Sequence, residues 1–204
     1  ANDLDLTQLA SISTLESLDL SGCTISSSAL AAICTLPELK SLNLSGCALA
    51  DIAPLVALTG LQTLDLTNNT VSDITALSAL TELRELHLTN NPIKSITYLN
   101  NCLSLERLYI ENCGIVRLSG IAAKVHTGNE IADLSVLSGC TALRVLDVSD
   151  NQIKDISVLA ELPALEEFNG DNNQITAIPD FDETTSPLWR FSVNHNEIES
   201  LEGL

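Results

Sequence analysis

The chain has 204 residues, 45% of them hydrophobic, and 27 acidic against nine basic side chains give it a formal charge of −18. So few cations cannot neutralise phosphate, which argues against nucleic acid and against anionic membrane surfaces as partners. No apolar run approaches the roughly 20 residues that span a bilayer, so no membrane insertion is expected in this segment.

A periodic pattern is already running when the chain begins, because Leu6, Leu9 and Ile12 share the spacing of Ile156, Leu159 and Leu162. The first full unit is slightly long, and Ser28 to Leu36 are expected to form a short helix there. A 22-residue beat follows, with leucine opening units at Leu39, Leu61, Leu83, Leu143 and Leu165. The unit at Leu61 runs Leu61, Leu64, Leu66, Asn69, Val71, Ile74, Leu77 and Leu80. A period of this length means a solenoid, in which each turn hides its apolar face only against its neighbours.

Within that unit, alternation predicts a short strand with Leu64 and Leu66 inward and Thr63, Asp65 and Thr67 in solvent. Asp73 to Glu82 spaces its apolar residues by three, which suits a 3₁₀ or short helical turn on the outer face. Helical turns are wider than strands, so the stack should curve with a parallel sheet on its concave side. Between the two halves the chain must turn sharply. Asn69, Asn91, Asn151, Asn173 and Asn196 fall at that place, where a buried amide satisfies stranded backbone groups. Cys23, Cys47 and Cys113 substitute there.

The beat breaks between Leu105 and Leu143. One reading is a loop near 116–131 projecting from a regular turn. The other is a short unit followed by a degenerate one with Asn129 at the ladder place, which would aim Lys124 and His126 at the core, where unpaired charge is costly. The loop is favoured, and its Arg117, Lys124 and His126 make a basic patch on an acidic body. A second break puts glycine in Phe168-Asn169-Gly170 where an inward leucine belongs, predicting a weaker strand, and Pro179 to Pro187 an irregular acidic loop. The pattern stops mid-unit at Leu204. One domain, 1–204, with about eight strands and cut within a repeat at both ends, is expected, as a segment of a longer protein.

Little in the chain points to chemistry. His87, His126 and His195 belong to different units and match no metal-ligand spacing, and no C-x-x-C pair exists. The cysteines read as packing, Cys34 alone facing outward; a bridge between Cys23 and Cys47 stays open. No phosphate loop, dinucleotide fingerprint or nucleophile elbow is present. No catalytic residue, cofactor or metal is therefore nominated, and an enzyme is not expected.

Recognition is a better prospect. Three solvent-facing columns run along the strands: Ser17 to Arg190, Asp19 to Ser192, and Ser21 to Asn194. Small polar residues fill the first units. Larger ones follow, and Glu85, His87, Arg107, Tyr109, Glu111, Asp147 and Trp189 are the candidate partner-binding residues, Tyr, Trp and Arg being frequent interface anchors. Arg117, Lys124 and His126 of the loop are candidate further contacts.

The unit pattern Leu-x-x-Leu-x-Leu-x-x-Asn-x-Ile-x-x-Ile-x-x-Leu-x-x-Leu resembles the leucine-rich repeat family, and Asp51-Ile52, Asp73-Ile74 and Asp155-Ile156 resemble its 22-residue internalin-like class. The resemblance implies an α/β solenoid, a curved horseshoe with a parallel concave sheet and 3₁₀ or short helical turns on its convex side. It also implies a non-catalytic module that binds a protein partner through the concave face, as a monomer, in a surface adhesin or receptor. The alternative is a cytoplasmic regulatory scaffold or spacer with no dedicated ligand. The acidity either keeps a repetitive apolar chain in solution or steers a cationic partner.

Overall fold

Leucines that point inward from the first six strands, and phenylalanines from the last two, leave the chain one way to hide them, which is to lay the next turn alongside. The computed structural model describes residues 12–111, 131–181 and 186–199. Among these, eight three-residue strands form one open, curved parallel sheet in sequence order: β1 (Ser17–Asp19), β2 (Ser41–Asn43), β3 (Thr63–Asp65), β4 (Glu85–His87), β5 (Arg107–Tyr109), β6 (Val145–Asp147), β7 (Glu167–Asn169) and β8 (Arg190–Ser192). The central residues Leu42, Leu64, Leu86, Leu108, Leu146 and Phe168 stack in register and are buried.

The outer halves differ as their sequences do. The long first unit, alanine-rich and capped by Ser26 Oγ accepting the Ala29 N–H at 3.1 Å, forms α1 (Ser27–Ile33). Later units make 3₁₀ turns at Ala53–Ala57, Thr75–Ala79, Thr97–Leu99, Ser135–Gly139 and Ser157–Glu161. Asp51, Asp73, Asp133 and Asp155 each accept the N–H two residues on at 2.8 Å, fixing the entry to these turns.

The asparagine ladder closes the junction between the halves. Asn91 Nδ2 donates to the carbonyls of Leu66, Leu88 and Thr89 at 2.9, 3.0 and 3.2 Å, while Oδ1 accepts the Val71 N–H at 3.0 Å. Asn69, Asn151 and Asn173 repeat this arrangement, and Asn196 repeats it half-buried. Cys47, at the same place, offers one weak Sγ–H donor, 3.2 Å from Leu20 O and 3.7 Å from Ser45 O. The residue before each of these five asparagines is left-handed (φ 56° or 57° at Asn68, Asn90, Asp150, Asn172 and His195), a conformation Asn, Asp and His tolerate better than most residues.

At the first break, β5 pairs directly with β6, and Ile131, Leu134, Leu137 and Cys140 are buried in the outer half that follows. Asn151 joins the two sides, donating to Ile110 O at 2.8 Å and accepting from Ile131 N at 3.0 Å. Save Ile131, the insertion expected at 116–131 lies outside the described residues, as do Arg117, Lys124, His126 and Asn129.

Two expectations are corrected. Gly170 does not weaken β7, because the Phe168 ring fills the space; a Cβ on Gly170 would meet that ring at 2.7 Å. Cys34 does not face outward. It caps the C-terminal end of α1, packs against the core, and burial pushes its thiol up to about 11.

Replacing Asn91 by Ala should destabilise the fold by about 3 kcal/mol in urea unfolding, since it strands an N–H and carbonyls away from water. A loss under about 1 kcal/mol would show that the ladder amides are dispensable. In a thiol titration of the folded protein near pH 8, Cys102 and Cys140 should stay unreactive, both buried and held at about 11. Rapid labelling of either would mean the central rungs open readily.

Candidate functional site

The strand register places two columns side by side on the concave face. One is Ser17, Ser41, Thr63, Glu85, Arg107, Val145, Glu167 and Arg190; the other is Asp19, Asn43, Asp65, His87, Tyr109, Asp147, Asn169 and Ser192. The third column, expected in solvent, is not uniformly so. Thr89 and Ser149 are buried because the chain is already turning inward there, and the Ser149 hydroxyl folds back onto Asp147 at 2.8 Å.

The second column is mostly structural. Asp19, Asn43, Asp65, Asp147 and Asn169 each accept, through a side-chain oxygen, the backbone N–H two residues later, at 2.8 to 3.2 Å. These Asx turns steer the chain off the strand. Asp147 also accepts from Asn169 Nδ2 at 2.9 Å, so its carboxylate is occupied within the sheet. His87 and Tyr109 interrupt the series, since neither side chain can make that turn.

In its place their rings stack on one another, with centroids 4.4 Å apart and planes 13° from parallel. Glu85 joins the pair to its neighbour, one carboxylate oxygen 3.0 Å from His87 Nε2 and the other 3.6 Å from Arg107 Nη1. Partial burial, then the nearby Glu85 carboxylate, hold the Tyr109 phenol above its ordinary value. Among the described residues its hydroxyl makes no hydrogen bond.

Beside Tyr109 the face dips. In the first column Val145 is short while Arg107, Glu167 and Arg190 are long, which leaves a notch of about 450 Å³ over β5 to β8. It is bounded further by Arg144, whose guanidinium grips Glu166 at 2.7 to 2.9 Å, while Arg190 reaches Glu167 at 3.3 Å. Three cations and three carboxylates thus surround the notch, so it is locally neutral on an acidic body.

The candidate residues are therefore partly gathered. Arg107, Tyr109 and Asp147 line the notch, and Glu85 and His87 adjoin it through direct contacts. Glu111 stands one column away. Trp189, 68% exposed, falls in an outer column with Glu16, Lys40, Arg84, Glu106, Arg144 and Glu166, whose ion pairs brace adjacent turns, and it does not line the notch. Sequence reasoning passed over Val145. Its signal was present, as a small apolar residue in a column otherwise long and charged from Glu85 onward. Among the described residues, no three His, Cys, Asp or Glu side chains stand close enough to hold a metal ion, and no helix is long and apolar enough to cross a membrane.

Family models described as leucine-rich repeats match residues 37–79, 81–123, 126–161 and 141–183, and a further leucine-rich repeat model matches 11–34. The chain belongs to the leucine-rich repeat family. Its fold is similar to internalin C2 of Listeria monocytogenes, at 25% identity and a TM-score of 0.75, covering 92% of this chain and 75% of that one. It is similar also to the internalin InlF of that organism, at 25% identity and TM-score 0.62, covering 98% and 67%. A leucine-rich repeat protein of Leptospira interrogans shares the fold at 22% identity and TM-score 0.77, covering 95% of this chain and 46% of its own. No curated protein matches the sequence.

With Tyr98 changed to Phe, absorbance titration should find Tyr109 ionising above the ordinary tyrosine value, and His87→Ala should bring it down by uncovering the ring. An unshifted Tyr109 in both proteins would contradict the stacked arrangement.

Proposed function

We propose that this chain is a non-catalytic recognition module that holds a protein partner against the concave face of β4 to β8, centred on Tyr109. The observation that carries the reading is the interruption of the Asx series. At two adjacent rungs a turn-forming Asp or Asn gives way to His87 and Tyr109, which lose a local hydrogen bond and present a clamped aromatic surface beside a notch. Departures from a locally consistent pattern mark function more often than fold. Rigid aromatics and arginine carry most interface energy because they bury area at low entropic cost.

Glu85, Arg107 and Asp147 frame this centre, while Glu111 and Trp189 would be reached only by a partner spreading beyond the notch. Arg117, Lys124 and His126, outside the described residues, are proposed as further contacts. We propose further that 1–204 is one domain acting as a monomer, and the likeness to internalins supports a place at a cell surface or outside it. A second reading, a cytoplasmic scaffold or spacer, draws support from the five free cysteines among the described residues, which suit a reducing compartment.

Against a purified partner, Tyr109→Ala and Arg107→Ala should each weaken binding at least about tenfold, whereas Ser41→Ala on the same face should change little. Calorimetry that finds full affinity in both variants removes the site.

A further inference from the structure

The notch contains more hydrogen-bond donors than it uses. Arg144 is gripped through two of its nitrogens by Glu166, and Arg190 is paired with Glu167 at 3.3 Å. Asp147 accepts from Ser149 and Asn169. The acceptors that line the notch are thus engaged with neighbours. Arg107 differs, because among the described residues its one ion pair is long, 3.6 Å, to a Glu85 carboxylate that also serves His87 at 3.0 Å. A guanidinium has five N–H donors in a fixed fork, and Arg107 keeps most of them for a visitor. The Tyr109 hydroxyl is one column away on the same strand, without a partner among the described residues.

On the far side of Arg107 stands Val145, whose short side chain leaves room at that rung. We infer that the notch receives an Asp or Glu side chain from an extended segment of the partner, its carboxylate accepting from Arg107 and the Tyr109 hydroxyl above Val145. Two leftover donors call for an acceptor, and a carboxylate matches the guanidinium fork with two parallel bonds. The Arg107–Val145 rung has strands on both sides in the sheet, so a segment reaching it crosses the face. This favours a side-chain carboxylate over a chain terminus. The overall charge of −18 opposes an acidic partner at long range, which places selectivity in the contact and not in steering.

This inference rests on the concave-face reading, and the test separates the two. Short random peptides with amidated C-termini are selected on the intact chain, and binders are remeasured singly. Enriched peptides should share an Asp or Glu whose change to Asn or Gln costs at least about tenfold in affinity. Arg107→Gln should cost a similar factor, with little further loss when both changes are combined. Arg107→Lys should recover part of the loss, and an unchanged melting curve for both variants shows that the fold is intact. Binders that need Tyr109 but no acid, or that ignore Arg107→Gln, overturn the carboxylate and leave the concave site standing. Binders indifferent to Tyr109→Ala and Arg107→Gln, or no enrichment at all, overturn both. Binding that needs a free C-terminus in place of an internal acid overturns the side-chain assignment.

Discussion

Each turn of this solenoid ends its strand with backbone groups pointing into a stack that excludes water, and an asparagine amide resolves them. Because Asn91 reaches back to Val71 and Leu66 of the preceding turn while bonding Leu88 and Thr89 of its own, it fixes how one turn sits on the next. A slip by one residue would orphan all these groups and turn the inward leucines out to solvent. The straight columns of the concave face are a consequence of this lock. A surface residue has a predictable neighbour two strands away because the buried amides permit only one register.

The same local accounting explains part of the acidity. Asp51, Asp73, Asp133 and Asp155 start the 3₁₀ turns, and Asp19, Asp65 and Asp147 start the turns after the strands. Asp73 and Asp133 are held below the ordinary carboxylate range by the N–H and hydroxyl groups they accept from. These carboxylates are acceptors first and field sources second. Seven of the 27 acidic residues are thus placed by turn-making, which weakens an argument from net charge alone to a cationic partner.

The fold was legible because its signal is repeated. Leu64, Leu86 and Leu146, the asparagines and the columns stand where a single period puts them, and one misread residue is corrected by the next unit. What failed was local and unrepeated. Gly170 looked like a gap because the pattern counts residues and not volume, and the neighbouring Phe168 ring takes up the space. Cys34 looked exposed because α1 replaces the 3₁₀ turn only in its unit, which changes the direction of the positions after it. Of the candidate site, the column members were readable by register. The roles were not: Asp147 is tied to Ser149 and Asn169, Trp189 lies off the notch, and Val145 makes the notch by being short. Side-chain height and hydrogen-bond occupancy are properties of neighbours in space.

The cost of the His87–Tyr109 interruption has to be set against the architecture that carries it. In a compact globule a lost turn hydrogen bond is felt by packing from many directions. In a solenoid each rung touches only the rungs beside it, so a deficit at β4 and β5 stays there and is offset there. One ring stack of this kind is worth about 0.5–1.5 kcal/mol, against about 1–3 kcal/mol for the two turn hydrogen bonds given up, and the Glu85–His87 contact at 3.0 Å offsets part of the difference. The exchange therefore gains nothing for stability, and stability alone supplies no reason to abandon at these two rungs the Asp or Asn used at five others. What changes is the outer surface: a polar ribbon acquires a rigid aromatic step beside the Arg107 guanidinium and the notch that Val145 leaves. On the function proposed above, recognition is the property that this exchange serves.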